Sequence, residues 1–300
     1  RRGFMPVAVR PGLLGGDLPG GVACGIGRSF GPSAGDAGRR TVAAASPPPV
    51  GEAASSSVPP ARDVPASLAH VRSLVEAAAA GRPVRLVAVS KTKPAEAISA
   101  AYAVGHRHFG ENYVQELLAK APELPADIRW HFIGQLQSNK AKALVKGCPS
   151  LDCVESVGST KLAKLLNAAV DEEVVACRRQ AGRLRVMVQV NTSGEGSKGG
   201  VAPAECAALC RAIATECPSL ELAGLMTIGA PDYSGCRTQD FETLRRCRVE
   251  VAEALGVDPS VLELSMGMSN DFERAIAEGS TSVRVGSSIF GARVYPAKTL

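Results

Sequence analysis

Apolar and polar positions divide most of this chain into two alternating patterns. From Val64 onward, short apolar runs with β-branched residues are separated by longer segments with apolar residues at helical spacing, such as Leu162, Leu166 and Val170. The first pattern is typical of buried strands and the second of amphipathic helices. The runs predict eight strands, at residues 85–90, 107–110, 129–134, 151–155, 183–191, 220–228, 261–266 and 282–286.

The intervening segments predict helices between these strands. A lead-in helix precedes the first strand, and a short helical turn begins near Ser287, after the last one. The other predicted helices follow strands one to seven. In chain order, the lead-in helix and those seven helices lie at residues 65–80, 94–103, 112–121, 139–146, 160–180, 203–217, 239–255 and 271–278.

Eight βα units in about 220 residues favour one (β/α)₈ barrel, because alternating strands and helices form a parallel sheet covered by helices and eight units close it. We expect this α/β barrel to be a single domain over residues 63–300. A doubly wound open sheet is the alternative. It is disfavoured because no glycine-rich fingerprint follows the first strand.

Residues 1–62 differ in composition from the rest of the chain. They are rich in Gly, Pro, Ala and Ser and lack apolar periodicity, so we expect a disordered extension. Residues 1–60 contain six arginines and only three acidic residues, as is typical of organelle transit peptides. A translated upstream segment that carries no targeting signal is an equally good interpretation. The expected location is therefore the cytoplasm, with mitochondrion or plastid as the alternative.

Composition excludes several functions. The net charge is +5 and aromatic residues make up 4%, which disfavours a nucleic-acid partner. No apolar stretch is long enough to span a bilayer, so no membrane contact is expected. The nine cysteines lack paired metal-ligand spacing, although Cys206 and Cys210 would share a helix face. We expect buried or stray thiols and no metal site.

Lys91 is the first candidate for chemistry. It follows the predicted strand at residues 85–90, at the end of the barrel where active sites of this fold lie. Ammonium groups are rarely buried without a partner or a function. A partly desolvated lysine loses its proton more easily, and the neutral amine can form a Schiff base with an aldehyde. Lys93, two residues later, is expected to be a solvated rim lysine.

The loops after the seventh and eighth strands carry an anion-binding pattern. Both are rich in Gly and Ser, and loops at these positions often bind phosphate in such barrels. A ligand with an aldehyde and a phosphate would suit both Lys91 and these loops, and pyridoxal 5′-phosphate (PLP) is the common one. A class I aldolase acting on a sugar phosphate would also fit. The sixth strand adds Met226 at the same end of the barrel.

Arg284 alternates with Val283 and Val285 on the eighth strand, so it points inward if the valines point outward. A fixed cation beside a pyridine nitrogen would disfavour its protonation. Arg284 could instead bind a phosphate or pair with an acidic neighbour. The sequence leaves these alternatives open.

Seven motifs resemble the pyridoxal phosphate homeostasis (PLP-binding) proteins, relatives of the alanine racemase N-terminal barrel. The resemblance covers about residues 64–296 in order, and its length makes it specific. The motifs are residues 87–94 (VAVSKTKP), 108–116 (HFGENYVQE), 130–134 (WHFIG), 137–140 (QSNK), 224–228 (GLMTI), 264–271 (LSMGMSND) and 283–291 (VRVGSSIFG).

This resemblance implies a set of cofactor contacts. It implies PLP as a Schiff base on Lys91, Arg284 near the ring nitrogen and Asn112 beside the ring. It also implies a role as an intracellular PLP carrier or homeostasis regulator without established turnover. Separately, we expect apo PLP-dependent enzymes as candidate recipients and a monomer or weak homodimer. The implied phosphate contacts are Ser265, the backbone around Met266, Gly286 and Ser287.

The alternative is a PLP-dependent amino-acid racemase or another fold-type III enzyme. Racemisation needs proton donors and acceptors on both faces of the cofactor. In the related racemases a tyrosine from an appended β domain is the second base, and the given sequence ends soon after the eighth strand, so we expect no such domain. Tyr113 opens a helix at the working end and is expected to be a wall residue. We therefore expect no catalytic residue.

Overall fold

Eight parallel strands form a closed barrel in the computed structural model, which describes residues 63–176, 182–194, 199–229 and 236–292. Each strand pairs with the next one in the chain, and β8 closes the ring against β1. The predicted fold class is confirmed. The strands are β1 (Arg85–Val89), β2 (His108–Glu111), β3 (Arg129–Phe132), β4 (Leu151–Val157), β5 (Leu184–Gln189), β6 (Leu220–Met226), β7 (Glu263–Ser265) and β8 (Ser282–Val285).

Nine α-helices in the described ranges surround or cap this barrel. They are α1 (Val64–Ala79), α2 (Ala95–Ala103), α3 (Val114–Lys120), α4 (Ala141–Gly147), α5 (Thr160–Val175), α6 (Pro203–Glu216), α7 (Thr238–Leu255), α8 (Phe272–Ala277) and α9 (Ser287–Phe290). Helix α1 shows how the sequence sets such an element. The Asp63 carboxylate accepts a hydrogen bond from the Ala66 amide, and apolar residues recur every three or four positions on its buried face.

Several predicted boundaries differ from the observed ones. The third strand was expected to reach residue 134 but ends at Phe132, and Gly134 lies in a tight turn where a Cβ atom would be 2.0 Å from the Asn112 carbonyl oxygen. The seventh was expected from residue 261, but Pro259–Val261 forms a 3₁₀ turn capped by Asp258. Turn geometry therefore shortens strands that apolar patterning alone extends.

The ends of several other strands and helices also differ by a few residues from the predicted ones. The fourth strand runs two residues further than predicted, to Val157, and the strands expected to end at residues 191 and 228 stop at Gln189 and Met226. The helix expected over 160–180 ends at Val175. A 3₁₀ turn at Ser138–Lys140 replaces the expected start of α4, as is frequent at the amino ends of helices.

Apolar burial occurs in two layers. A large cluster between the strands and the helices includes Val283 and Val285, whereas a small one inside the barrel comprises Cys153, Met187, Ala223 and Met226. Because successive residues of a strand face opposite sides, Arg284 faces the barrel interior between these two valines. The conditional prediction for this side chain is therefore confirmed.

Three expectations concern the rest of the chain. The predicted disorder of residues 1–62 lies outside the described residues, as do parts of the loop after β5 and of the chain after α9. Within the described ranges, no helix combines the length and apolar character needed to cross a membrane. Seven of the nine cysteines are described, and all seven are buried.

Candidate ligand site at the carboxyl ends of the strands

A cavity of about 160 Å³ opens where β1, β3 and β8 end. Lys91, Arg284, Gly286 and Ser287, four of the predicted ligand contacts, line it together. The structure thus brings a lysine, an arginine and a glycine–serine loop to one space. The remaining lining residues are Val89, Lys93, Ile133, Met268, Ser269 and Gly291.

Lys91 is half-buried in a turn that leaves the end of β1. The Lys93 amide donates to the Ser90 carbonyl at 3.0 Å, which closes the turn around it. Thr92 adopts a left-handed backbone (φ 62°), and its amide donates to Oε1 of Glu116 at 2.5 Å. A left-handed threonine is uncommon, so this carboxylate contact helps to hold the turn that carries Lys91.

A second lysine, Lys120, binds the same turn. Nζ of Lys120 on α3 donates to the Ser90 carbonyl at 3.0 Å, to Glu111 at 2.8 Å and to Glu116 at 2.6 Å. The Ser90 hydroxyl donates to Glu111 at 2.7 Å. Burial raises the pKa of Glu111, and the Lys120 ammonium acts against this rise. Ser90, the residue before Lys91, is therefore held in place by two buried charged side chains, Lys120 and Glu111.

Arg284 enters the cavity from β8 with its guanidinium fixed. One terminal nitrogen donates to the Ser265 hydroxyl at 2.5 Å and the other to the Thr227 carbonyl at 2.7 Å. The Ser265 hydroxyl in turn donates to Oε2 of Glu155 at 2.6 Å. Arg284 and Glu155 lie 3.9 Å apart although β8 and β4 are on opposite sides of the ring.

Glu155 is ionised despite complete burial. Burial alone would raise its pKa, but the hydrogen bond from His131 and the charges of His131 and Arg284 outweigh it and lower the pKa to about 2. Nδ1 of His131 lies 2.7 Å from Oε1 of Glu155, so both carboxylate oxygens accept hydrogen bonds. His131 is thus a hydrogen-bonded core histidine, as its position within a strand predicts.

The opposite wall is made by the backbone after β7 and β8. The Gly286 amide donates to the Ser269 hydroxyl at 3.2 Å, which links the two loops. A Cβ atom at Gly286 would lie 3.2 Å from the Val89 carbonyl oxygen, so glycine lets this loop pack against the end of β1. Ser287 then begins α9.

Four predicted contacts do not line the cavity. The Ser265 hydroxyl is used by Glu155 and Arg284, and the Met266 amide donates to the Ser282 carbonyl within the sheet. Met226 belongs to the small apolar cluster inside the barrel. Asn112, at the end of β2, has a buried Oδ1 without a hydrogen-bond partner among the described residues. Their contacts with a ligand stay predictions.

Sequence reasoning missed several residues of the site. Ser269 lies in the glycine- and serine-rich loop after β7 and could have been found there, and Val89 and Ile133 follow from strand alternation. Lys120 and Glu155 gave no comparable signal, because neither lies near Lys91 or Arg284 in the sequence. Lys93 lines the cavity and donates to the Ala292 carbonyl at 2.7 Å.

Comparison with known proteins places this geometry in a family. The alanine racemase N-terminal domain family matches residues 63–294. The pyridoxal phosphate homeostasis protein of Bos taurus is 49% identical over 247 residues, which cover 78% of this chain and 88% of the bovine one. The Escherichia coli K12 protein of the same name is 42% identical over 245 residues, covering 79% of this chain and 99% of its own. The chain belongs to the pyridoxal phosphate homeostasis protein family.

A solved structure of a similar protein contains the cofactor in the family name. PipY of Synechococcus elongatus, with PLP bound, is 36% identical, has a TM-score of 0.59 and covers 76% of this chain and all of its own (100%). All seven motifs that resembled the homeostasis protein family lie within the matched residues 63–294. The family prediction made from those motifs is confirmed.

Proposed function

We propose that this protein binds PLP in the cavity at the end of β1, as a Schiff base on Lys91, and serves intracellular PLP homeostasis and delivery. The observation that carries the proposal is that a half-buried lysine shares one cavity with Arg284 and the Gly286–Ser287 loop. A primary amine, a guanidinium and exposed loop donors match the aldehyde, the ring and the phosphate of PLP. Membership of the homeostasis protein family and PLP-bound PipY support it.

The residues present fit such a ligand on structural grounds. Gly286 keeps the loop free of a side chain where it meets β1, and the Ser269 and Ser287 hydroxyls line the same wall. The buried Oδ1 of Asn112, at the end of β2, lacks a hydrogen-bond partner within the described part of the chain. Asn112 does not line the cavity, but unpaired buried polar atoms are costly, so an atom of this kind at the same end of the barrel supports a nearby ligand.

Each residue then has a physical role. PLP supplies an aldehyde for an amine and a phosphate that anchors it. Lys91 presents its amine from a turn fixed by Lys120 and Glu116. Arg284 holds a positive charge at the cavity wall, which disfavours protonation of a nearby pyridine nitrogen and weakens the ring as an electron sink.

We propose that the protein does not turn over amino acids. Racemisation needs an acid or base on each face of the cofactor. Among the described residues that line the cavity, the ionisable side chains are Lys91, Lys93 and Arg284, and Lys93 donates to the Ala292 carbonyl. Tyr113 is 53% exposed and does not line the cavity. An amino-acid racemase or another fold-type III enzyme is the alternative.

The binding proposal is tested by spectroscopy and mass spectrometry. Purified protein should be yellow, and borohydride reduction should attach the cofactor to the peptide that contains Lys91. Lys93→Ala is the matched control, because Lys93 lines the same cavity and should not be the attachment site. A colourless protein that PLP cannot turn yellow, or a label on Lys93, would contradict the proposal. A class I aldolase would be colourless and would cleave a sugar phosphate.

The carrier proposal needs a separate measurement. The loaded protein is mixed with the apo form of a PLP-dependent enzyme, and recovery of that enzyme's activity is followed. A carrier should restore activity and should not convert amino acids faster than free PLP does. Turnover well above that background would favour the enzyme alternative. We expect a monomer or weak homodimer, with no nucleic-acid or membrane partner.

We propose a cytoplasmic location, with mitochondrion or plastid as the alternative if residues 1–62 act as a transit peptide. Fluorescent fusions with and without residues 1–62 distinguish the cytoplasmic location from the organelle one. Organelle signal that disappears with the shortened protein would establish the alternative.

A further inference from the structure

A continuous series of polar side chains crosses the interior of the barrel from its amino end to the cavity. We name it the interior polar chain. Each contact in it joins side chains of different strands, and its final members are Glu155, Ser265 and Arg284. The successive separations are Arg85–Glu263 2.5 Å, Glu263–Arg185 2.5 Å, Arg185–Asp152 3.3 Å, Asp152–His131 3.8 Å, His131–Glu155 2.7 Å, Glu155–Ser265 2.6 Å and Ser265–Arg284 2.5 Å.

Hydrogen-bond polarity fixes the middle of this chain. An ionised carboxylate only accepts hydrogen bonds. Glu155 therefore accepts one from Nδ1–H of His131 and one from the Ser265 hydroxyl. Nε2 of His131 lies 3.0 Å from Nδ1 of His108, so both ring nitrogens make polar contacts. These contacts at both nitrogens fix the orientation of the His131 ring, which holds Glu155 in place.

The same atoms could be considered as a metal site, since His108, His131 and Asp152 place their ligand atoms within 4.8 Å of one another. The charges argue against this interpretation. The carboxylates of the interior polar chain are matched one for one by the guanidiniums of Arg85, Arg185 and Arg284. A divalent cation would therefore add charge to an interior that is already balanced.

We propose that Glu155 is a positioning residue of the ligand site, acting through Arg284, and that His131 fixes Glu155 for this purpose. Arg284 is 4% exposed, and the carboxylate that the described residues place beside it is Glu155, 3.9 Å away and linked to it through the Ser265 hydroxyl. Without that carboxylate, a buried guanidinium would be left uncompensated and would shift toward the open cavity. The inference rests on the proposed function, because PLP is the ligand whose binding it affects.

A double-mutant cycle tests the proposal. PLP affinity is measured by absorbance titration for the wild type, Glu155→Gln, Arg284→Gln and the double variant. If Glu155 acts through Arg284, each single change should weaken binding about tenfold or more, and the double variant should be no weaker than Arg284→Gln alone. Losses that multiply in the double variant would overturn the proposal, since Glu155 would then act independently.

Two variants of His131 keep the test valid if Glu155→Gln does not fold. In His131→Asn, the side-chain amide nitrogen can replace Nδ1 as donor to Glu155, whereas His131→Leu has no donor. We expect His131→Asn to retain PLP affinity and the visible spectrum of the bound cofactor, and His131→Leu to lose both in part. Equal behaviour of the two variants would contradict a positioning role.

The controls separate this inference from the proposed function. Asp240→Asn removes another buried carboxylate, which caps α7 and does not line the cavity, and should leave PLP affinity unchanged. A wild-type protein that does not bind PLP would refute the proposed function itself. A wild type that binds PLP, with a folded Glu155→Gln of the same affinity and spectrum, would refute only the positioning role.

Discussion

The ammonium nitrogen of Lys120 lies 3.0 Å from the main-chain carbonyl oxygen of Ser90, the residue before Lys91. This contact joins α3 to the end of β1 across 30 residues of sequence. Glu111, which the same ammonium binds, is fully buried. The turn that presents the candidate Schiff-base lysine is therefore held by a second lysine, which does not itself line the cavity.

Replacing Lys120 should destabilise the protein strongly. Lys120→Met keeps the aliphatic volume but leaves the Glu111 carboxylate buried without a cation, a change that typically costs about 3 to 5 kcal/mol. Urea unfolding measures the free energy of unfolding. Lys142→Met is the control, because its ion pair with Glu172 is exposed and should contribute little.

The same pair allows a rescue test. Glu111→Gln in the Lys120→Met background removes the uncompensated charge while keeping an acceptor for the Ser90 hydroxyl. The double variant should recover part of the lost stability. No recovery would show that the loss in Lys120→Met comes from packing or from Ser90 and not from the stranded carboxylate.

Lys91→Ala should separate covalent from anchored binding. It removes the amine but leaves Arg284 and the Gly286–Ser287 loop unchanged, so PLP should bind more weakly and without the imine absorbance. Equilibrium dialysis measures the residual affinity, and borohydride should no longer attach the cofactor. A Lys91→Ala protein that kept the yellow imine would contradict the assignment.

Gly134→Ala adds only one methyl group but should clearly reduce the stability of the protein. A Cβ atom there would lie 2.0 Å from the carbonyl oxygen of Asn112, a backbone group that cannot move without displacing the end of β2. We expect a loss of about 1 to 3 kcal/mol and weaker PLP binding. Gly256→Ala is the comparison, because its Cβ meets nothing within 4 Å and only its positive φ causes strain. A smaller loss at Gly134 would contradict the clash.

Acid should destabilise the protein through two histidines. Burial and the nearby Arg72 lower the pKa of His106 to about 4, and burial and His131 lower that of His108 to about 3, from an ordinary 6.5. Below pH 6.5 the unfolded chain binds protons that the folded chain does not, so stability is full above that pH and falls toward pH 3.

Urea unfolding at pH values between 7 and 4.5 measures this slope, in a range where most carboxylates stay ionised. His108→Asn should reduce the slope, since its amide can still donate toward His131 but does not titrate. An unchanged slope in this variant would show that His108 does not contribute to the acid sensitivity.

The sequence by itself determined the order and type of the elements and the position of the site along the chain. Apolar periodicity is a local property, so it predicted each strand of the barrel to within a few residues, although Gly134 and Pro259–Val261 ended or delayed strands that it extended. Lys91 and Gly286 follow strands, and parallel strands end on one side of a barrel, so their shared location was predictable. The family motifs added the expected ligand.

Only the tertiary structure decided which buried charges support that site. Glu155 and Arg284 meet across the barrel, and Lys120 reaches Ser90 from a helix, although each pair is far apart in sequence. A side chain's partner depends on ring closure and on the register of the strands, which local patterns do not encode. The family resemblance implies a phosphate contact from Ser265, which stays a prediction, and only the folded chain shows that its hydroxyl lies between Glu155 and Arg284.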